Sequence, residues 1–170
     1  MKLIVAVDKE WGIGYQGELL ARVRADLKNF RRLTEGHVVV LGSKTLATFP
    51  GGRPLKNRTN IVLSRREDYA PEGATVAHSI DELIGILADF DTNEVYIIGG
   101  ETVYTQLLPY CDEAIVTKFD KSFAKDAIMP NLDESPEWTL AETGETQISD
   151  PETDSEEGLH FSFCTYKRIK

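Results

Sequence analysis

Asp26 is the acidic side chain that this sequence presents in the context best suited to chemistry. It lies in the stretch GIGYQGELLARVRADLKNF (residues 12 to 30) and is the only acid between Glu18 and Glu35. A carboxylate in the first turn of a helix is stabilised by the helix dipole whatever its function, so a purely structural role stays open. Leu27 and Phe30 would make its surroundings apolar, and a carboxylate there can anchor an amidine-like hydrogen-bond donor.

Two glycine-containing junctions are the next candidates, because each joins a β-branched run to a helical pattern. They are IIGGETVY (97 to 104) and VVVLGSKT (38 to 45). Glycine lets backbone N–H groups approach a ligand, and unpaired N–H groups at a helix start favour anions, although either glycine could serve turn geometry alone. The run LSRRE (63 to 67) adds a hydroxyl and guanidinium groups suited to a phosphate monoester, or else a solvated basic turn. Neither junction is a GxGxxG fingerprint or a P-loop, so these residues predict a phosphorylated ligand bound by another scheme.

The elements that must position these residues alternate between strand and helix. Short apolar runs predict strands at 3 to 7, 38 to 42, 60 to 64, 74 to 78, 95 to 100 and 114 to 119. Helical patterns follow at 24 to 33, 43 to 49, 79 to 90 and 101 to 110. This alternation is typical of an α/β fold with a largely parallel sheet. The segments 138 to 142 and 160 to 168 predict a closing antiparallel hairpin, joined by an acidic, exposed and mobile loop at 149 to 158.

Composition limits the classes of protein. A chain of 170 residues suits one domain, and no apolar run approaches the roughly 20 residues of a membrane span. The apolar start is too short for a signal peptide, so we expect a cytoplasmic protein. Net charge is −9, but eleven acids and no Lys or Arg fall between Asp126 and Tyr166, which leaves 17 acids against 19 bases elsewhere. A phosphorylated ligand therefore stays compatible, whereas no basic stripe supports nucleic-acid binding. Cys111 and Cys164 have no metal-ligand spacing and are expected to be buried free thiols.

Five motifs in order give the chain a family resemblance. The runs GIGYQG with ADLKNFRRLT, VVVLGSKT, FPGGRPLKNRTNIVLSR, VYIIGGETVY and IVTKF resemble the dihydrofolate reductase family over about residues 1 to 120, with a compatible hairpin to the end. The resemblance implies a single-domain α/β fold over 1 to 170, with a mostly parallel eight-stranded sheet, an antiparallel C-terminal hairpin and about four helices. It implies NADPH-dependent reduction of 7,8-dihydrofolate to tetrahydrofolate. We expect a monomer, since no exposed apolar pattern requires a partner.

The resemblance also assigns substrate residues. Asp26 matches the acid that accepts hydrogen bonds from the 2-amino group and N3 of the pterin, and its pKa is expected to rise through desolvation. Thr117 matches the hydroxyl that supports this acid, and Arg58 the arginine that pairs with the substrate α-carboxylate. Leu19 belongs to the loop expected over the reacting rings. The predicted pterin and benzoyl pocket comprises Ile4, Val5, Ala6, Leu27, Phe30, Phe49, Leu55 and Ile98. No Lys, His or second acid matches a position near pterin N5, so water is expected to deliver that proton.

The cofactor residues are carried over in the same way. The nicotinamide half is assigned to Ala6, Ile13, Gly14, Gly17, Glu18 and Leu19. The pyrophosphate and the outer face of the ring are assigned to Ile98, Gly99, Gly100, Glu101, Thr102, Val103 and Tyr104. The adenosine half is assigned to Gly42, Ser43, Lys44, Thr45, Leu63, Ser64 and Arg65. Ser64 and Arg65 resemble the family's reader of the 2′-phosphate, which predicts NADPH over NADH. No metal is expected.

The sequence departs from the family pattern at three places. Leu20 and Ala21 stand for the usual Pro-Trp, Val23 and Arg24 for the usual Leu-Pro, and Ser43 for a basic residue. Ala21 removes an indole that ordinarily helps to order a pocket water in the family, and Ser43 predicts a somewhat weakened preference for NADPH. Two alternatives remain: the related reductase of riboflavin biosynthesis, and a catalytically silent nucleotide-binding relative. The contexts ADLKNF and RPLKNR favour the folate enzyme over the first.

Overall fold

The computed structural model describes residues 1 to 169. Its four α-helices are α1 (Arg24–Thr34), α2 (Ser43–Ala47), α3 (Ile80–Leu87) and α4 (Glu101–Leu107). Its strands are β1 (Lys2–Val7), β2 (Gly12–Gly14), β3 (Val38–Gly42), β4 (Thr59–Leu63), β5 (Ala74–Ala77), β6 (Val95–Gly99), β7 (Glu113–Phe119), β8 (Ala127–Ile128), β9 (Trp138–Thr143), β10 (Gln147–Ile148) and β11 (His160–Arg168). Contacts group the chain into two compact units: Met1–Leu3 with Thr34–Tyr110, and Ile4–Leu33 with the segment that starts at Cys111.

The first unit is built on parallel strands. The start of β1 pairs with β6, and the order continues through β3 and β4 to β5. These strands are the continuous β-branched runs of the sequence, as expected where both faces of a parallel sheet are covered. Gly42 pairs in register with Leu63, and Leu41 with Gly99, so the carboxyl ends of β3, β4 and β6 lie at one edge. Helix α3 begins after Ser79, whose Oγ accepts a hydrogen bond from Glu82 N at 3.0 Å.

The second unit is antiparallel. Strand β11 pairs with β7 over seven residues, from Phe161 opposite Phe119 to Lys167 opposite Glu113, and the later part of β1 lies beside β7. Strands β9 and β10 both pair with β11, with an irregularity between Thr165 and Tyr166 in the β9 ladder. The predicted closing hairpin is therefore confirmed. Strands β2 and β8 form a separate antiparallel pair, and β8 lies between β7 and β9 in sequence.

The predicted fold class is confirmed: a mostly parallel α/β architecture with antiparallel strands at its C-terminal end, eight strands on the main path and four α-helices. The predicted helix 101 to 110 ends at Leu107 and continues as a 3-10 turn that contains Pro109. Strands β2, β8 and β10 have only two or three residues each and were not predicted. Cys111 and Cys164 are buried thiols outside any disulfide, as predicted. Among residues 1 to 169, no helix has the length and apolarity to cross a membrane.

Candidate functional site

The contact between Asp26 and Thr117 is the centre of the candidate site. Asp26 lies in the first turn of α1, Thr117 lies in β7, and Thr117 Oγ1 donates a hydrogen bond of 2.5 Å to Asp26 Oδ1 across 91 positions of sequence. Thr117 is 3% exposed, so its hydroxyl is held in a dry environment. Burial raises the pKa of Asp26, and the hydrogen bond from Thr117 offsets part of that rise, as expected for a desolvated carboxylate. The predicted direction of this pKa shift is confirmed.

The apolar side chains that the sequence assigns to the site in the second unit differ in exposure. Ile4 and Val5 are each 7% exposed and belong to the core, whereas Leu27 is 42% exposed and Leu19 46% exposed. Burying an exposed aliphatic side chain is favourable. A ligand that covered Leu27 and Leu19 would therefore gain hydrophobic binding energy from them. Ala6 packs against a buried cluster of Ala21, Val23, Phe119, Leu159 and Phe161.

The glycine loop after β2 is a closed turn rather than an open connector. Tyr15 and Glu18 exchange backbone hydrogen bonds of 2.9 and 3.0 Å, and Gln16 and Gly17 both have positive φ angles. Asp126, which is not part of this turn, makes two hydrogen bonds to it. Its Oδ2 accepts from Gln16 N at 3.0 Å, and its N–H donates to Gly14 O at 3.0 Å. Sequence reasoning missed Asp126, because its partners are backbone groups more than a hundred residues away and leave no pattern in the sequence.

Asp8 anchors the segment before the glycine loop and was also missed. Its carboxylate is 1% exposed and accepts hydrogen bonds from the backbone N–H groups of Glu10, Gly12 and Phe123 at 2.8 to 3.0 Å. Lys125 Nζ lies 3.0 Å from Asp8 Oδ2. Burial by itself would raise the pKa of Asp8, but the hydrogen bonds from Phe123, Gly12 and Lys125 outweigh it and lower that pKa. A charged Asp8 therefore ties the entry of the glycine loop to residues 123 to 125.

The first unit brings both glycine junctions together at the edge where β3 and β6 end. A Cβ on Gly100 would lie 3.0 Å from Thr45 Oγ1, and a Cβ on Gly42 would lie 3.1 Å from Val103 Cγ2. Both distances are tighter than most Cβ contacts, so a side chain at either position would press against Thr45 or Val103. The peptide bond between Gly99 and Gly100 is cis. Val103 and Tyr104 are 6% and 5% exposed and pack as core residues behind the glycines.

The polar residues predicted for phosphate binding lie at the ends of β3 and β4. Ser43, Lys44 and Thr45 open α2 directly after β3, and Lys44 is exposed. Ser64 follows β4, is 8% exposed, and accepts a hydrogen bond from Arg66 N at 3.2 Å through its Oγ, while Arg65 is exposed. The arrangement presents two cations and three hydroxyls from neighbouring strand ends, which is a donor set suited to phosphate oxygens. Leu63 pairs with Gly42 beneath them.

The remaining substrate residues of the first unit lie between α2 and β4, apart from Ile98, which is in β6. Phe49 and Ile98 pack against the buried cluster of Leu41, Leu46 and Val62. Arg58 is fixed at two points, because its Nε donates to Lys56 O at 2.9 Å and its Nη1 to Thr34 Oγ1 at 3.2 Å. Such bonds leave a guanidinium oriented before any ligand arrives.

The other predicted site residues lie in or beside the following elements. Ile13 and Gly14 are in β2, Glu18 and Leu19 follow the turn, Phe30 is in α1, Leu55 precedes β4, and Glu101 and Thr102 begin α4. Their ligand contacts stay predictions. Among the described residues, no group of three or more His, Cys, Asp or Glu side chains is arranged to hold a metal ion.

A desolvated carboxylate on one helix and phosphate-type donors at parallel strand ends define a class of small α/β proteins that bind nucleotide-like ligands. The chain belongs to the dihydrofolate reductase family, whose model matches residues 1 to 168. It is 36% identical to the dihydrofolate reductase of Mycobacterium tuberculosis over 160 residues, covering 92% of this chain and 90% of that protein. It is also 36% identical to the Bacillus subtilis enzyme over 140 residues, covering 82% of this chain and 80% of that protein.

A solved structure gives the same result. The dihydrofolate reductase of Enterococcus faecalis, described as complexed with NADP(H) and RAB-propyl, matches with a TM-score of 0.85 and 32% identity. The match covers 99% of this chain and 96% of that one. The family expected from the order of the sequence motifs is therefore confirmed.

Proposed function

We propose that this chain catalyses the reaction for which its family is named, the NADPH-dependent reduction of 7,8-dihydrofolate to 5,6,7,8-tetrahydrofolate. The observation that carries the proposal is the hydrogen bond from Thr117 to the desolvated carboxylate of Asp26. Family membership over residues 1 to 168 supports it, as does the relative whose structure is described with NADP(H).

Asp26 provides the substrate anchor. One of its oxygens already accepts from Thr117, and its other lone pairs can accept from the 2-amino group and N3 of a pterin. Because the acid is desolvated, these charged hydrogen bonds are stronger than they would be in water. The bound pterin is thereby oriented and polarised. The substrate residues carried over from the family include no Lys or His and no acid besides Asp26, so water delivers the proton to N5.

The residues at the ends of β3, β4 and β6 fit the cofactor. Gly42 and Gly100 have no Cβ to crowd this edge, where one would lie 3.0 to 3.1 Å from Thr45 or Val103. Lys44, Thr45, Ser64 and Arg65 provide the donors for phosphate oxygens, and Arg65 would read the 2′-phosphate that distinguishes NADPH from NADH. When bound, NADPH supplies the hydride that reaches pterin C6. Ala6, Ile13 and the loop from Gly14 to Leu19 would line the nicotinamide, and closure of that loop would exclude water.

Arg58 and the exposed aliphatic residues complete substrate binding. The planar guanidinium of Arg58, already oriented by Lys56 and Thr34, suits a bidentate contact with the α-carboxylate of dihydrofolate. Leu27 would cover the apolar part of the substrate and become buried on binding, while Leu19 would do the same for the reacting rings.

A direct assay tests the proposed function. Purified enzyme is mixed with NADPH and 7,8-dihydrofolate, and the loss of NADPH absorbance is followed with and without each substrate. We expect turnover that requires both, and slower turnover when NADH replaces NADPH. Turnover on a ribosylated pyrimidine but not on dihydrofolate would instead indicate the riboflavin-pathway reductase. Binding of NADPH without turnover of either compound would identify a silent nucleotide-binding relative.

We also propose that the chain acts as a single-domain, cytoplasmic monomer that binds no nucleic acid. The acidic segment after Asp126 and the near balance of charge elsewhere support the last point, since neither forms a basic stripe. Light scattering coupled to size exclusion tests the oligomeric state, and a single cooperative unfolding transition tests the single domain.

A further inference from the structure

Asn60 is a buried amide whose every polar atom is committed to one loop. It is the second residue of β4 and is 3% exposed. Its Oδ1 accepts from Leu55 N at 3.0 Å, and its Nδ2 donates to Leu55 O at 2.9 Å and to Arg58 O at 3.1 Å. The side chain of Asn60 thus bonds both backbone groups of Leu55, as a neighbouring strand would. It also bonds the carbonyl of Arg58, so it holds both ends of the segment 55 to 58.

The loop that Asn60 holds carries two residues assigned to the substrate. Leu55 begins it, and Arg58 ends it. Asn57, between them, has a φ of 61°, in the left-handed region, so the loop makes a tight reversal. Arg58 Nε donates to Lys56 O at 2.9 Å, inside the same reversal. The carbonyl of Lys56 lies between the two residues that Asn60 binds, so Asn60 helps to set one of the two contacts that orient the guanidinium, the other being Thr34.

Replacing this amide would remove three hydrogen bonds from the backbone of the loop. The backbone N–H and C=O of Leu55 and the C=O of Arg58 lie beside a buried side chain, where a lost hydrogen bond is not simply exchanged for one with water. The loop would shift to regain partners, and the guanidinium would move with it. The reacting end of the substrate is assigned to Asp26, which is not part of this loop.

We propose that Asn60 is a positioning residue for substrate recognition: by fixing the loop of residues 55 to 58, it orients Arg58 for the carboxylate tail of the substrate. The proposal rests on the proposed function, and it deepens that function by separating tail recognition from ring recognition. It predicts that Asn60 contributes to catalysis only with substrates that carry the tail.

The test compares two substrates in one variant. Asn60→Asp is nearly isosteric and keeps the acceptor for Leu55 N, but it turns an oxygen toward the carbonyls of Leu55 and Arg58 in place of the donor. With dihydrofolate, we expect KM to rise about tenfold, equivalent to about 1.4 kcal/mol, with kcat changed by less than about twofold. With a 6-alkyl-7,8-dihydropterin that lacks the aminobenzoylglutamate tail, kcat/KM should stay within about twofold of the wild-type value.

Asn57→Asp is the matched control. It makes the same chemical change in the same loop, but Asn57 is exposed and its Nδ2 reaches only Glu35 Oε1 at 3.3 Å. If added negative charge near Arg58 were the cause, Asn57→Asp would raise KM for dihydrofolate as much as Asn60→Asp does. We expect its KM to change by less than about twofold.

Two further measurements make every outcome decisive. Asn60→Ser, whose short hydroxyl cannot reach both ends of the loop, replaces Asn60→Asp if that variant does not fold, with the same expected split between substrates. In an Arg58→Ala background, the Asn60 substitution should raise KM for dihydrofolate no further. Equal losses with both substrates, or no loss with dihydrofolate, would overturn the proposal. Wild-type enzyme without turnover of dihydrofolate would overturn the proposed function instead.

Discussion

Replacing Asp26 by asparagine tests the whole assignment of the site, because it removes the charge and keeps the shape. The amide oxygen can still accept from Thr117 Oγ1, so the contact of 2.5 Å between α1 and β7 is retained. What is lost is the charged acceptor for the two hydrogen bonds from the pterin, because the NH2 group of asparagine cannot accept them. A hydrogen bond to a charged group contributes about 1.5 to 3 kcal/mol, so two contribute about 3 to 6 kcal/mol. Since each 1.36 kcal/mol is tenfold in rate, kcat/KM for dihydrofolate should fall about 10²- to 10⁴-fold.

The assay is steady-state NADPH oxidation with dihydrofolate at neutral pH, repeated with pterins that are more easily protonated at N5. We expect these pterins to recover part of the lost activity, because they depend less on the polarisation that Asp26 provides. Turnover of dihydrofolate by Asp26→Asn within about threefold of the wild-type value would refute the assignment of Asp26 as the pterin anchor.

The same variant should be more stable than the wild-type protein, with a definite pH dependence. Because burial raises the folded-state pKa of Asp26, the folded protein binds this proton more tightly than the unfolded chain does. Wild-type stability is therefore lost as pH rises from the unfolded-state pKa, about 3.9, through the raised folded value. Asparagine has no such loss. The difference in Tm, variant minus wild type, should be positive at neutral pH and should shrink as the pH is lowered; a difference that grows at low pH would contradict the sign.

Three other substitutions test separate parts of the site. Thr117→Val should raise the pKa of Asp26 further, since it removes the hydrogen bond that lowers it; a carbon-13 NMR titration showing no rise would contradict this. Arg65→Ala should reduce the ratio of kcat/KM for NADPH over NADH about tenfold or more, and an unaltered ratio counts against its role. Asp126→Ala removes the hydrogen bond to Gln16 N in the turn. Because that bond is exposed and weak, kcat/KM should fall only about fivefold. An unchanged rate of hydride transfer would show that the turn is held without this bond.

Most of the fold could be predicted, because the parallel strands carry their own signal. Strands β3, β4 and β6 are continuous β-branched runs bounded by turn residues, and burial on both faces gives them that composition. Strands β2 and β8 have no such signal. They are two or three residues long, two of the three in β2 are glycine, and they join residues more than a hundred positions apart. Pairing of this kind is set by tertiary contacts rather than by local pattern.

The candidate site also contains residues that the sequence reveals and residues that it does not. From its residues alone, Asp26 could be explained by the helix dipole, and only the resemblance joined it to Thr117, 91 positions away. Asp8, Asp126 and Asn60 could not be recognised from the sequence, because each binds backbone groups and any residue type can supply those. Polar side chains that organise loops are therefore the least predictable part of such a site, although they orient the residues that are predictable.

The start of α1 and the acidic loop at 149 to 158, which are far apart in sequence, are joined by a hydrogen bond. Arg24 stands where the family pattern has proline, and it therefore brings a backbone N–H to the start of α1. Asp154 Oδ1, from the acidic loop expected to be a mobile connection, accepts a hydrogen bond from that N–H at 2.8 Å. This bond is the main reason that the pKa of Asp154 is lowered.

Ser155 strengthens the same attachment, because its Oγ accepts from Arg22 N at 2.8 Å and its N–H donates to Arg22 O at 3.0 Å. A carboxylate at the N-terminus of a helix also matches the positive end of the helix dipole. A proline at position 24 would have no backbone N–H to satisfy. Arg24 has one, and the acidic loop provides its acceptor through Asp154. The first turn of α1, and Asp26 within it, is held from a segment 130 residues further along the chain.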